Sequence, residues 1–143
     1  MLEPTVDPMA NRVVQRHLRY GWRALLIFVI LGLGLESLHG FKIGWYLDVS
    51  QETRRLMLTL AHAHGVLLAL VNIGFAATVA LAPARRPRWR AAAARCLLTA
   101  SIAIPLGFLL GGLFPLSGDP GLGIIFVPLG GLALVVAIGL IAP

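Results

Sequence analysis

Charge is what this sequence has least of. Asp, Glu, Lys and Arg make up 13% of the 143 residues, against 58% hydrophobic residues, and mean hydropathy is +0.86. A soluble domain carries about a quarter charged residues. The composition therefore excludes an ordinary soluble domain and points to an integral membrane protein. Acids are the scarcer sign, six against twelve Lys and Arg. The resulting excess of +6 does not make the chain a nucleic-acid binder. Its basic residues punctuate apolar runs, as topology signals do.

Cysteine is almost missing. Cys96 alone excludes an internal disulfide and any cysteine-based metal centre. It follows Arg95 at the start of an apolar run and reads as a small buried residue. No Cys-x-x-Cys, phosphate loop or nucleophile elbow occurs. Nor does the N-terminus read as a signal peptide. Two acids and two prolines precede the arginines, and no cleavage-like site follows the first apolar run. The first run is expected to stay as a helix.

Four apolar runs are present, at about 19–41, 56–82, 91–114 and 122–142. Each is long enough to cross about 30 Å of hydrocarbon as a helix, and none alternates as a barrel strand would. Residues 1–18 read as a basic arm. The arm and first turn hold Arg12, Arg16, Arg19 and Arg23, and the second-to-third connection holds Arg85, Arg86, Arg88, Arg90 and Arg95. The other side has only Lys42, Arg54 and Arg55. That asymmetry places both termini in the cytoplasm. Pro83 and Pro87 close a tight basic turn, and "SGDPG" a turn on the opposite side. The expected fold is all-α: one domain, an integral membrane up-down-up-down four-helix bundle. Its partners are the lipid bilayer and, where it assembles, further copies or other membrane subunits.

The polar residues inside these runs are few. The second run contains "LAHAHGVLLALVN", Leu60 to Asn72. At about 100° per residue, His62 and His64 diverge by about 200°. Between them runs a small-residue stripe, Ala61, Gly65, Ala69, Asn72 and Ala76, suited to close helix packing. The first run offers a matching stripe in Gly32, Glu36 and Gly40, with His39 beside Glu36. Glu36 is the sole acid inside an apolar run. A short loop joins the two helices, so Glu36, His39, His62 and His64 are expected to gather in the outer half of the bundle. Asn72 should lie about two turns deeper. His17, in the basic arm, is expected to be solvated. The third and fourth helices are expected to hold no strongly polar group at depth.

A carboxylate in hydrocarbon is costly to ionise unless it is paired or ligated, and such clusters mark function. Glutamate with histidines is the donor set of many transition-metal sites, with iron, copper and zinc all allowed by ligand type. Glu36-x-x-His39 matches the Glu-x-x-His element of di-iron bundles, but it occurs once, which favours a single metal. Haem b between His39 and His62 or His64 is the alternative, with Arg54 and Arg55 near its propionates. Gly65 leaves room beside the second helix. Redox or small-molecule chemistry at the membrane is the expected use. An accessory subunit of a larger membrane complex, with a purely structural polar cluster, is the competing reading.

The motif Ala61-His62-Ala63-His64-Gly65, followed by Asn72, resembles the Ala-His-x-x-Gly element of the hydroxylaminobenzene mutase-like family, small four-helix bacterial membrane proteins. The resemblance implies a bacterial inner membrane. It also implies an intramolecular rearrangement of a small aromatic substrate within the bilayer.

Overall fold

The computed structural model describes residues 8–81 and 87–142. These fold into helix α1 (Pro8–Gly40), a single turn α2 (Gly44–Leu47), α3 (Glu52–Leu81), α4 (Pro87–Leu113) and α5 (Phe126–Ile141). Short 3-10 turns at Val49–Gln51 and Leu122–Ile125 lead into α3 and α5. The described residues contain no strand beyond an isolated bridge between Leu116 and Asp119. Four helical stretches are long and apolar enough to cross a membrane: Pro8–Gly40, Val49–Leu81, Trp89–Leu113 and Leu122–Ile141.

The largest departure from the sequence expectation is the start of α1. The helix begins at Pro8, eleven residues before the expected position, and absorbs most of the basic arm. Proline suits a first helical position, where its missing N–H would have no helical acceptor anyway. No breaker follows until Gly21, deep within the established helix. α3 likewise starts four residues early, at Glu52. The basic turn at 82–86 lies outside the described residues.

Local chemistry ends α1 cleanly. The Lys42 backbone adopts φ 55°. The Ile43 N–H reaches back to the Leu38 carbonyl at 3.0 Å, and the Lys42 N–H to that of His39 at 3.1 Å. This paired arrangement caps the helix and reverses the chain. Asp48 then opens the next turn, its carboxylate accepting from the Ser50 N–H at 2.9 Å and the Ser50 hydroxyl at 2.7 Å. Across the molecule, the Ser117–Gly118 turn also uses positive φ at both residues. The Thr53 hydroxyl donates to the Gly118 carbonyl and ties that turn to α3.

Packing follows chain order. α3 lies against both α1 and α4, and α5 lies against α4. α1 meets α4 only sparsely and has no substantial contact with α5. The small-residue stripe of α3 is buried along its length: Ala61, Gly65, Ala69, Asn72 and Ala76. Phe28 seats its ring on Gly65, Ile73 packs on Gly21, and His62 lies over Gly32. Partner residues therefore descend α1 as they ascend α3. Between α3 and α4 the core is Leu68, Ala100 and Ile104, and further along Phe75, Ala93 and Leu97.

The stripe expected on α1 holds only at Gly32. Gly40 meets nothing within 4 Å, and Glu36 is exposed. Each step of four residues overshoots a full turn by about 40°. Gly32, Glu36 and Gly40 therefore rotate progressively off the seam. The residues that stay buried on α1 are His17, Gly21, Ala24 and Leu35, spaced by four, three and eleven residues, each close to a whole number of turns.

Candidate functional site

Polar side chains concentrate at two levels of the α1–α3 pair. One lies toward the 41–51 loop and the other toward the arginine-bearing start of α1.

At the loop side, His62 is the fixed point. Its Nδ1 lies 2.7 Å from the backbone carbonyl of Phe28. A carbonyl only accepts, so Nδ1 carries a proton, and in the neutral form of the ring the lone pair lies on Nε2. Gly32 makes the arrangement possible, because a Cβ there would overlap the imidazole. His62 lines a cavity of about 490 Å³ together with Glu36, His39, Tyr46 and Thr59. His39, Tyr46 and Thr59 also line an adjoining cavity of about 560 Å³, which reaches Glu52 and Arg55. The two form one groove. Tyr46 is 5% exposed and sets its ring edge toward His39, with centroids 6.5 Å apart.

The structure thus brings Glu36, His39 and His62 to one groove, but not His64. Its Nδ1 donates to the Leu60 carbonyl on its own helix at 2.9 Å. Its ring lies 4.8 Å from that of Phe108 on α4. The divergence of about 200° expected from helical geometry is what separates the two histidines. Among the described residues, no three His, Cys, Asp or Glu side chains converge closely enough to hold a metal ion.

The other expected neighbours also divide. Arg55 lines the groove. Arg54 is held by the loop instead. Its guanidinium sits 4.7 Å above the Trp45 ring and donates to the Trp45 carbonyl at 2.9 Å. Gly65 receives the Phe28 ring, and Asn72 belongs to the second level.

That second level corrects two sequence expectations. His17 is not solvated. It is 0% exposed, because helix phase turns it into the α3 seam while Arg16 and Arg19 on the same turns face out. Its Nδ1 donates to the Asn72 Oδ1 at 2.7 Å, and its ring stands edge-on to Phe75 at 4.8 Å. The Asn72 amide donates to the Leu68 carbonyl and to the Ser101 Oγ, both at 2.7 Å. The Ser101 hydroxyl donates to the Leu97 carbonyl at 2.7 Å. α4 therefore does carry a polar group at depth.

Tyr20 completes the network, its hydroxyl donating to the Ser101 backbone carbonyl at 2.9 Å. That carbonyl lies four residues before Pro105, inside α4. Proline has no N–H to offer it, so α1 supplies the donor. Every donor in this chain of bonds is used. The His17 Nε2 is buried without a partner. Two sequence signals bear on this network: the step from Ser101 to Pro105, and the phase His17-Gly21-Ala24.

Comparison with family models, curated proteins and solved structures finds no match to this chain. The residues that carry the mutase resemblance are split between two levels, His62 in the groove and Asn72 with His17 and Ser101.

Proposed function

We propose that this chain is an integral membrane protein of the up-down-up-down type, with both termini cytoplasmic. Its outer groove binds a small amphipathic molecule through Glu36, His39 and His62. Four apolar helices support the membrane reading. The nine-to-three division of basic residues between alternate connections supports the orientation.

The observation that carries the binding reading is the His62 ring. It is held by the Phe28 carbonyl over a glycine and keeps an acceptor nitrogen on the wall of a cavity. A mostly apolar groove with a few convergent polar groups is the usual form of a small-molecule site. Val29 and Leu33 supply the apolar wall. Glu36 and the His62 Nε2 both accept hydrogen bonds, which suits a ligand bearing hydroxyl or amine donors.

A transition metal or haem b at the same groove is the second reading. One observation favours it: an imidazole whose Nδ1–H is fixed by a carbonyl is the common form of a metal-ligating histidine. Metal binding would require Glu36 and His39 to close toward His62.

One preparation tests both readings. Detergent-purified wild type, Glu36→Gln and His62→Ala are extracted with organic solvent and compared by mass spectrometry, alongside elemental analysis and an absorption spectrum. A small molecule present with wild type and depleted in both variants is expected. A stoichiometric metal or a Soret band would shift the assignment to the second reading. Identical extracts with neither metal nor haem would end both.

A further inference from the structure

The start of α1 presents a second built surface, on the flank away from α3. Arg16, Arg19 and Arg23 recur at three- and four-residue steps, so they share a face of the helix. With Tyr20 they line a cavity of about 570 Å³ between α1 and α4, where those helices otherwise barely meet. The deeper part of that cavity is apolar: Ala24 and Ile27 from α1, Leu98 and Ile102 from α4. The Tyr20 hydroxyl is already committed to the Ser101 carbonyl, so Tyr20 lines the cavity without offering its own O–H to a ligand. Among the described residues, no acidic side chain lines the cavity. The Arg19 Nε makes a long bond of 3.3 Å to the Gln15 carbonyl one turn back, which leaves its terminal nitrogens for another acceptor.

We infer that this cleft is a binding site for one anionic phospholipid of the cytoplasmic leaflet. The headgroup phosphate lies among Arg16, Arg19 and Arg23, and an acyl chain lies over Ile27, Leu98 and Ile102. Three arginines lining one cavity offer guanidiniums suited to bidentate phosphate recognition. Basic pockets between membrane helices on the cytoplasmic side are where anionic headgroups bind. The order of polarity along the cleft, cationic first and apolar deeper, matches a lipid and not a free anion. The inference rests on the proposed membrane orientation.

The test is native mass spectrometry of the full chain released from detergent. The probes are phosphatidylglycerol and phosphatidylcholine of equal chain length. Wild type should retain a single phosphatidylglycerol at least fivefold more than phosphatidylcholine. The Arg16→Gln/Arg19→Gln/Arg23→Gln variant should lose that preference. Ile102→Trp, which fills the apolar part and leaves the arginines intact, should reduce retention of either lipid. Inorganic phosphate at millimolar concentration should not displace the bound lipid. Equal retention of both lipids by wild type, or undiminished preference in the triple variant, would overturn the inference. So would complete displacement by phosphate. Recovery of the chain in the soluble fraction without detergent would overturn the membrane reading and this inference together. Membrane recovery without lipid preference overturns this inference alone.

Discussion

The Tyr20 hydroxyl on α1 donates to the Ser101 carbonyl on α4 at 2.9 Å, a carbonyl that Pro105 deprives of its helical N–H. A proline inside a helix leaves an acceptor four residues earlier, and an unpaired buried acceptor is costly. One side chain therefore repairs the backbone of a helix that its own helix hardly touches elsewhere. Tyr20→Phe should destabilise the folded state by about 1 kcal/mol, the net worth of a typical buried hydrogen bond. The informative experiment is the cycle with Pro105→Ala, which restores the N–H. In that background Tyr20→Phe should cost clearly less, giving a coupling of at least about 0.5 kcal/mol. Unfolding in mixed micelles, followed by circular dichroism, measures all four proteins. Additive effects would show that the hydroxyl does not serve the proline gap.

Asn72 is the hub of the buried network, accepting from His17 and donating to Leu68 and Ser101. Asn72→Leu keeps the branching at Cγ but leaves the His17 N–H without its acceptor. The expected loss is about 1–3 kcal/mol, the cost of stranding a buried polar group. Replacing His17, Asn72 and Ser101 together by Leu, Leu and Ala removes every stranded group. The triple variant should therefore unfold at higher denaturant than Asn72→Leu alone. A triple variant weaker than the single one would mean that the network contributes net stability.

The helices were legible in the sequence because each apolar run is long and bounded by turn residues. The divergence of His62 and His64 is legible too, since it depends only on 100° per residue, although the expected cluster still includes His64. So was the buried stripe from Ala61 to Ala76. Proximity in sequence is a poorer guide than helix phase. The arginines around His17 predict a solvated side chain, yet on a helix adjacent residues face different ways. Glu36 stands four residues after Gly32, and the drift of about 40° carries it to the exposed edge of the groove. The Tyr20–Ser101 bond joins residues 81 apart and depends on how α1 lies against α4, which no local pattern encodes.

Gly32 and His62 form the tightest relationship in the loop-side groove. Gly32→Ala would push the imidazole off the Phe28 carbonyl or part α1 from α3. Overpacking of this kind costs about 1–3 kcal/mol. Removing the ring should relieve it, so Gly32→Ala/His62→Ala should lose less than the sum of the two single variants. The same unfolding assay decides the matter. Strict additivity would show that His62 does not occupy the space above Gly32.

Asp48 gives a pH-dependent feature outside the helices. The Ser50 hydroxyl and the Ser50 N–H, both donating to its carboxylate, hold its carboxyl below the ordinary carboxylate range. The sign follows from that direction. A group whose folded value is depressed stabilises the native state above its unfolded value, and that contribution fades as pH falls through the folded value. The Val49–Gln51 turn, which leads the chain into α3, should therefore loosen only under acid conditions and stay fixed at neutral pH. Ser50→Ala removes the hydroxyl but keeps the backbone donor. It should move the Asp48 titration part of the way back up. Carboxyl carbon NMR shifts followed against pH would read both proteins directly. An Asp48 midpoint unchanged by Ser50→Ala would show that the hydroxyl bond is not what depresses it, and would leave the backbone N–H as the only cap on the turn.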